Sequence, residues 1–222
     1  VIFDPDELEK WSYGTWKEKP VEQVSGFSID SRKINNGELF VAISAERDGH
    51  DFLISAKENG ASGSIVERVK LDVPLPQLLV KDSLTAFHNI AHNHRKKFKG
   101  SVVGITGSCG KTSTKDTLGL LLGENKALCT EGNLNNYLGV PLTLLRCDNG
   151  KHEYAVIEAG INQIGEMSML ANTISPDLVV VTVIAPSHLE GLETIEKIAS
   201  EKAELFSLTS NVRTVIFPED CL

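Results

Sequence analysis

The sequence predicts an α/β protein in two parts: a small mixed α/β domain over residues 1–99, then a mostly parallel α/β sheet over residues 100–222. Three observations lead there. Val102–Ile105 is a β-branched, apolar run that passes through Gly107, Ser108 and Gly110 into a segment with leucines at Leu118, Leu121 and Leu122. Strand, glycine-rich turn and helix in that order form the start of a parallel βαβ unit. Beyond it, strand-like and helical segments alternate four times, whereas ahead of it the strand-like runs are shorter and broken by Asn-Gly and Pro turns.

Composition sets the limits. A chain of 222 residues, 41% hydrophobic and 23% charged, can build two ordinary cores. No apolar run reaches the roughly 18 residues of a membrane span, and Val1 opens no signal-peptide pattern. A cytoplasmic protein with no membrane insertion is therefore expected. Cys109, Cys129, Cys147 and Cys221 are scattered without metal-ligand spacing, as in a reducing compartment. A net charge of −8 and the lack of any basic stripe argue against a nucleic-acid partner.

Residues 1–24, with Trp11 and Trp16, are expected to give a helix and a strand packed on the first domain. Phe27–Ile29 and Leu39–Ile43 read as strands joined by the turn Asn35-Asn36-Gly37. Between them, Asp30-Ser31-Arg32 is either a turn with an exposed ion pair or a hydroxyl and a guanidinium offered to a ligand. Asp48-Gly49-His50-Asp51 is either a metal-like acidic cluster or a cap for the helix of Leu53–Asn59. Capping is the better reading, because Asp is a favoured N-cap. Ala61–Glu67 and Gln77–Val80 are short strands, and a helix follows from Ser83 to about Phe98 with Leu84, Phe87, Ile90 and Ala91 on one face. His88 and His92 are four apart, a zinc-like spacing, but they lack an intervening Glu and a third ligand, and read as a solvated helix face. Arg95-Lys96-Lys97 suits a helix C-terminus, with the domain boundary at Lys99-Gly100.

In the second part, Lys126–Thr130 reads as a strand entering an amide-dense loop with Asn133, Asn135 and Asn136, before a helix entered at Pro141. Tyr154–Glu158 is a buried strand that ends in a carboxylate, and Gly165–Ser175 is helical. Leu178–Ile184 is a further buried strand, leaving through Pro186, His188 and Glu190. Thr194–Ser207 is an amphipathic helix carrying Lys202 between Glu201 and Glu204, and Thr214–Phe217 begins one more strand.

The loop after Val102–Ile105 has the make-up of a phosphate cradle, which would make the second domain P-loop-type. Glycines let backbone N–H groups turn onto an anion, and the helix N-terminus adds partial positive charge. Lys111 would reach the β- and γ-phosphates and the Thr112 hydroxyl would meet Mg²⁺. The spacing departs from G-x-x-x-x-G-K-[ST], because position 105 is Ile and the glycines stand at 104 and 107. A plain glycine turn with an exposed lysine is the alternative. Glu158, at the tip of a strand beside this loop, stands where a second magnesium-directing group belongs.

GITGSCGKTSTKD (104–116), TEGNLNNYLGVPLTLLR (130–146), YAVIEAGINQIGEM (154–167) and SHLEGL…EKIASEKAELF (187–206), with DSRKINNGELFVA (30–42) and DGHDF (48–52), resemble the Mur ligases, the ATP-dependent amide ligases of bacterial cell-wall synthesis. The resemblance covers nearly the whole chain. The family's own loop is T-G-x-x-G-K-T, which accounts for Ile105, and Cys109 stands where Asn is common. It implies a nucleotide-sugar-binding domain over 1–99 and a central ATPase over 100–222 that is incomplete, with a third domain absent. It also implies ATP and Mg²⁺ as cofactors, with ADP and phosphate as products. Within the family the motifs look most like the member that joins D-Ala-D-Ala to UDP-MurNAc-tripeptide through an acyl phosphate. Charge neutralisation among several anions is then the central problem.

By that resemblance, Gly107, Ser108, Cys109, Gly110, Lys111, Thr112 and Ser113 hold the nucleotide. Lys111, Glu158, His188 and Lys202 are the catalytic set; Thr112, Glu158, His188 and Lys202, the last as a carbamate, direct metal. Ile29, Ser31 and Arg32 match the uridine-nucleotide region, while Asn135 and Asn136 match the loop that meets the sugar-peptide end. The expected assembly is a monomer. The ligase that adds the third amino acid to UDP-MurNAc-dipeptide shares the first domain, but its loop usually carries a Thr-Thr pair where this chain has Asn133–Asn136. A P-loop NTPase of another kind would explain the phosphate loop, yet it predicts neither the DSR block nor the lysine-bearing block. A fragment that binds its ligands without turnover is a further alternative.

Overall fold

A computed structural model describes residues 1–186 and 194–219. They form two compact units, Val1–Asn93 and His94–Leu222, so the division lies a few residues ahead of the expected 99/100 boundary and inside a helix.

The first unit holds helix α1 (Pro5–Ser12) and strands β1 (Thr15–Trp16), β2 (Gly26–Ser28) and β3 (Glu38–Val41), followed by helix α2 (Leu53–Glu58), strands β4 (Gly63–Val66) and β5 (Gln77–Leu79), and most of helix α3 (Ser83–Lys97), whose last turn belongs to the second unit. The sheet order is β1-β5-β4-β3-β2; β2 to β5 are parallel and β1 is antiparallel to β5. Asp4 caps α1, with Pro5 in its first turn, and the Trp16 indole donates to the Pro5 carbonyl at 2.9 Å. That bond ties residues 1–24 together as the helix and strand expected. Leu53 and Ala56 of α2 pack with Phe40, Ala42 and Val66.

Asp48 does act as a cap, but for the 3₁₀ turn Gly49–Phe52 that leads into α2. Its carboxylate accepts from the His50 amide at 3.0 Å and contacts His50 Nδ1 at 2.6 Å. His50 Nε2 accepts from the Glu67 amide at 2.9 Å, so the proton sits on Nδ1 and the ring is neutral. Burial, its largest influence, holds its pKa below the usual histidine value. His88 corrects the solvated-face reading: it is 5% exposed, part of the packed side of α3.

The second unit contains β6 (Ser101–Thr106), α4 (Lys111–Leu122), β7 (Ala127–Cys129), α5 (Gly139–Leu144), β8 (Tyr154–Glu158), α6 (Glu166–Ile174), β9 (Leu178–Val181), α7 (Ile195–Ser207) and β10 (Thr214–Ile216). Its sheet, β10-β9-β6-β8-β7, is parallel throughout. Such a sheet needs cover on both faces, and Ala155, Val156 and Ile157 of β8 are fully buried. Leu118 and Leu122 of α4 pack on Val103, Ile105 and Val156, whereas Leu121 points away and is 79% exposed. Strand β9 ends at Val181 rather than Ile184, because the residues after it bond to the loop that follows β6.

Arg95 departs from the sequence reading. It does not end its own helix in solvent but is 6% exposed. Its guanidinium donates to the Ile174 and Ser175 carbonyls at 3.2 and 3.1 Å and pairs with Asp177 at 2.8 Å. Ser175, left-handed at φ 42°, terminates α6. Arg95 therefore satisfies carbonyls that α6 leaves without an intrahelical partner.

Candidate active site

Parallel register brings the carboxyl ends of β6, β8 and β9 level: Ile105 lies opposite Glu158, and Thr106 opposite Val181. In open α/β sheets this rim is where ligands bind. The loop leaving β6 needs glycine at two points. Gly107 has φ +143° and Gly110 φ +81°, and a Cβ on Gly107 would overlap the Thr182 hydroxyl. Gly110 is the N-cap of α4 and brings no side-chain cap, so the first-turn N–H groups are left for an anion. Lys111 reaches back over the loop, its Nζ donating to the Gly107 carbonyl at 2.9 Å. Cys109 and Ser113 are exposed.

Residues 182–185 brace this loop. The Ser108 amide donates to the Val183 carbonyl and its hydroxyl to the Ala185 carbonyl, both at 2.7 Å. The Thr182 hydroxyl donates to the Cys109 carbonyl at 2.5 Å.

Glu158 is 1% exposed. A buried carboxylate needs donors, and among the described residues it has two: the Thr112 hydroxyl at 3.0 Å and the Asn135 amide at 2.8 Å. Its backbone N–H donates to Thr130 Oγ1 at 2.9 Å, and Lys115 Nζ holds the Thr130 carbonyl at 2.8 Å. Thr112 and Glu158 are thus in direct contact, and Asn135 joins them. Asn136 instead uses its side-chain oxygen at the start of α5, accepting from the Leu138 and Gly139 amides at 3.1 and 2.9 Å. The Thr112 hydroxyl and the Glu158 carboxylate are hard oxygen donors of the kind Mg²⁺ takes, so the residues present fit that ion. His188 lies outside the described residues.

Lys202 is 1% exposed on α7 and has no hydrogen bond or ion pair among the described residues. Pairing with its neighbours does not occur: Glu201 accepts from the Gly165 amide at 2.9 Å. Burial, and then the positive charge of Lys111, bring the Lys202 pKa down to about 8. It borders an apolar cavity of about 380 Å³ formed with Val181, Ile184, Ala199, Phe206 and Phe217.

In the first unit, Ile29, Ser31 and Arg32 line a cleft of about 600 Å³ whose walls include Phe40, Val41, Ile43 and Phe52. The ion-pair reading of Asp30-Ser31-Arg32 is the one the structure shows: Arg32, which lines the cleft, is forked onto Asp30 at 2.9 and 2.8 Å. That guanidinium holds the Asp30 carboxyl down at about 2. Arg47 lines the same cleft and has no ion pair among the described residues. Sequence reading missed Arg47 and Thr182. The available signals were a cation directly before the Asp48 cap and a hydroxyl directly after a buried strand.

Residues 105–222, more than half of the chain, match the Mur ligase middle domain. The UDP-N-acetylmuramoyl-tripeptide–D-alanyl-D-alanine ligase of Escherichia coli is 44% identical over 186 residues, 83% of this chain and 41% of that protein. The chain therefore spans about two-fifths of that relative's length. A MurF crystal structure from Acinetobacter baumannii superposes with a TM-score of 0.92 at 31% identity, covering 99% of this chain and 49% of that one. MurF from Thermotoga maritima, solved in complex with ADP, does so with 0.78 at 33% identity, covering 88% and 46%. The chain belongs to the Mur ligase family.

Proposed function

We propose that this chain is the nucleotide-sugar-binding and ATP-binding part of an ATP-dependent amide ligase of peptidoglycan precursor synthesis, joining D-Ala-D-Ala to UDP-MurNAc-tripeptide. The observation that carries it is the loop–Thr112–Glu158 arrangement at the carboxyl rim of the sheet. The names of the relatives support the choice of substrates. In this reading ATP phosphorylates the tripeptide's terminal carboxylate. The amine of D-Ala-D-Ala then attacks the acyl phosphate, and ADP and phosphate leave.

Residues 1–99 take the uridine end and residues 100–222 the ATP. The open amides at the start of α4 and the Lys111 ammonium meet the β- and γ-phosphates. Mg²⁺ held by Thr112 and Glu158 would neutralise phosphate charge. Asn135 keeps the Glu158 carboxylate aimed at Thr112.

Lys202 supplies a further acidic ligand after modification. With a pKa near 8 it reaches the neutral amine at mildly alkaline pH. The amine lone pair attacks the carbon of CO₂, an N–C bond forms and a proton passes to solvent. The carbamate is anionic, which relieves the repulsion from Lys111 and supplies oxygen to a hard metal.

Two measurements test the assignment. Mg-ADP is expected to raise the melting temperature of the chain, and Lys111→Ala to remove most of that rise. Saturation at 100 times Kd stabilises by about 2.7 kcal/mol, well within reach of a thermal scan. An undiminished rise in the variant would sink the phosphate-loop role. For the cleft, Arg47→Ala is expected to weaken UDP binding by calorimetry more than Arg32→Ala does, because the Arg32 charge is already spent on Asp30. The reverse order would show that Arg32 turns to the ligand.

A further inference from the structure

We propose that Thr182 is the positioning residue of the phosphate loop: its hydroxyl fixes the Cys109–Gly110 peptide so that the Gly110 N–H faces the nucleotide phosphates. The inference rests on the nucleotide reading above and adds a residue that lies outside the phosphate-loop motif. In a trans peptide the C=O and the following N–H point in opposite directions. Tethering the Cys109 carbonyl to Thr182 Oγ1, at 2.5 Å, therefore aims the Gly110 N–H the other way.

Neighbouring bonds stiffen the same bracket. The Thr182 amide donates to the Thr106 carbonyl at 2.9 Å, and the Ala185 amide donates to Ser108 Oγ at 3.1 Å. The Ser108 amide is itself committed to Val183, so it is not available to phosphate. The work of cradling falls to the amides from Cys109 onward, and the Cys109 carbonyl is the point at which the chain must turn. Gly107 completes the fit, since any side chain there would occupy the volume of the Thr182 hydroxyl. A preset cradle binds an anion without first reorganising, which is the general advantage of preorganisation.

The test is ADP titration, with magnesium, of the chain and of Thr182→Val, Thr182→Ala and Thr182→Ser, alongside their melting temperatures without nucleotide. Valine keeps the shape and removes the one side-chain donor that the Cys109 carbonyl has among the described residues. We expect Thr182→Val and Thr182→Ala to bind ADP about tenfold more weakly, and Thr182→Ser, which keeps the hydroxyl, to stay within about twofold of the parent. A purely structural hydroxyl would lower the melting temperature of Thr182→Val and Thr182→Ala while leaving the ADP affinity of whatever folds unchanged. That result overturns the proposal, as does equal weakening in Thr182→Ser. A parent chain that binds no ADP would overturn the nucleotide reading underneath it instead.

Discussion

Lys202→Met makes the chain more stable at pH 7 in carbonate-free buffer, by about 3 kcal/mol. The size follows from a folded pKa of about 8 against an ordinary value of 10.5. The unfolded chain holds a proton that the folded chain gives up between those two values. Stability therefore rises with pH across that window, and below pH 8 the whole penalty of a buried ammonium remains. Methionine fills similar volume beside Val181, Phe206 and Phe217 without a charge to desolvate. For a chain of this length the gain corresponds to a rise of roughly 6 to 12 °C in Tm. Calorimetry of the two proteins at pH 7 and pH 10 checks it, because the advantage should shrink at the higher pH. A variant that melts at or below the parent at both pH values would show that Lys202 is comfortably solvated. A stabilising loss of a buried lysine is what a residue kept for chemistry, and not for packing, should show.

Arg95→Ala is expected to cost about 3 kcal/mol, in the opposite direction. Removing the guanidinium leaves the Ile174 and Ser175 carbonyls short of a donor and Asp177 without its cation. Breaking a largely buried pair from one side carries a cost in this range. Asp177 also accepts the Val102 amide at 2.8 Å, so the loss reaches the first turn of the central strand β6. Arg95→Lys should recover less than half of it, because one ammonium cannot span three acceptors. Urea unfolding measures both variants, and a loss under 1 kcal/mol in Arg95→Ala would contradict this account.

The parallel sheet of the second unit was legible because its strands are covered on both faces and so read as unbroken apolar runs, Val102–Ile105 and Ala155–Ile157 among them. Lys111, Thr112 and Glu158 were legible for a different reason, since glycine spacing and a carboxylate at a strand tip are local signals. What the sequence hides is long-range pairing. His88 and Arg95 sit on α3 with the residue types of a solvated face, and only the fold says that both are buried. Thr182 lies 73 residues from the carbonyl that it holds, and Asn135 lies 23 from Glu158. Arg32 carries an obvious local signal, yet its bidentate fork onto Asp30 is a question of rotamer that periodicity cannot answer.

The level ends of β6 and β8 also make the apolar core an alignment device. Side chains on a strand alternate between faces, so a slip of one residue would swing the Glu158 carboxylate to the far side of the sheet, away from Thr112. Ala155, Val156 and Ile157 offer little resistance to such a slip on hydrophobicity alone, for each is apolar and buried whichever way it faces. The register is set by polar pins at the strand's end: Thr130 Oγ1 on the Glu158 amide, and the Ala159 amide on the Ile105 carbonyl at 2.8 Å. A substitution at Thr130 would thus threaten the site by shifting the ladder on which it is mounted, without touching any ligand.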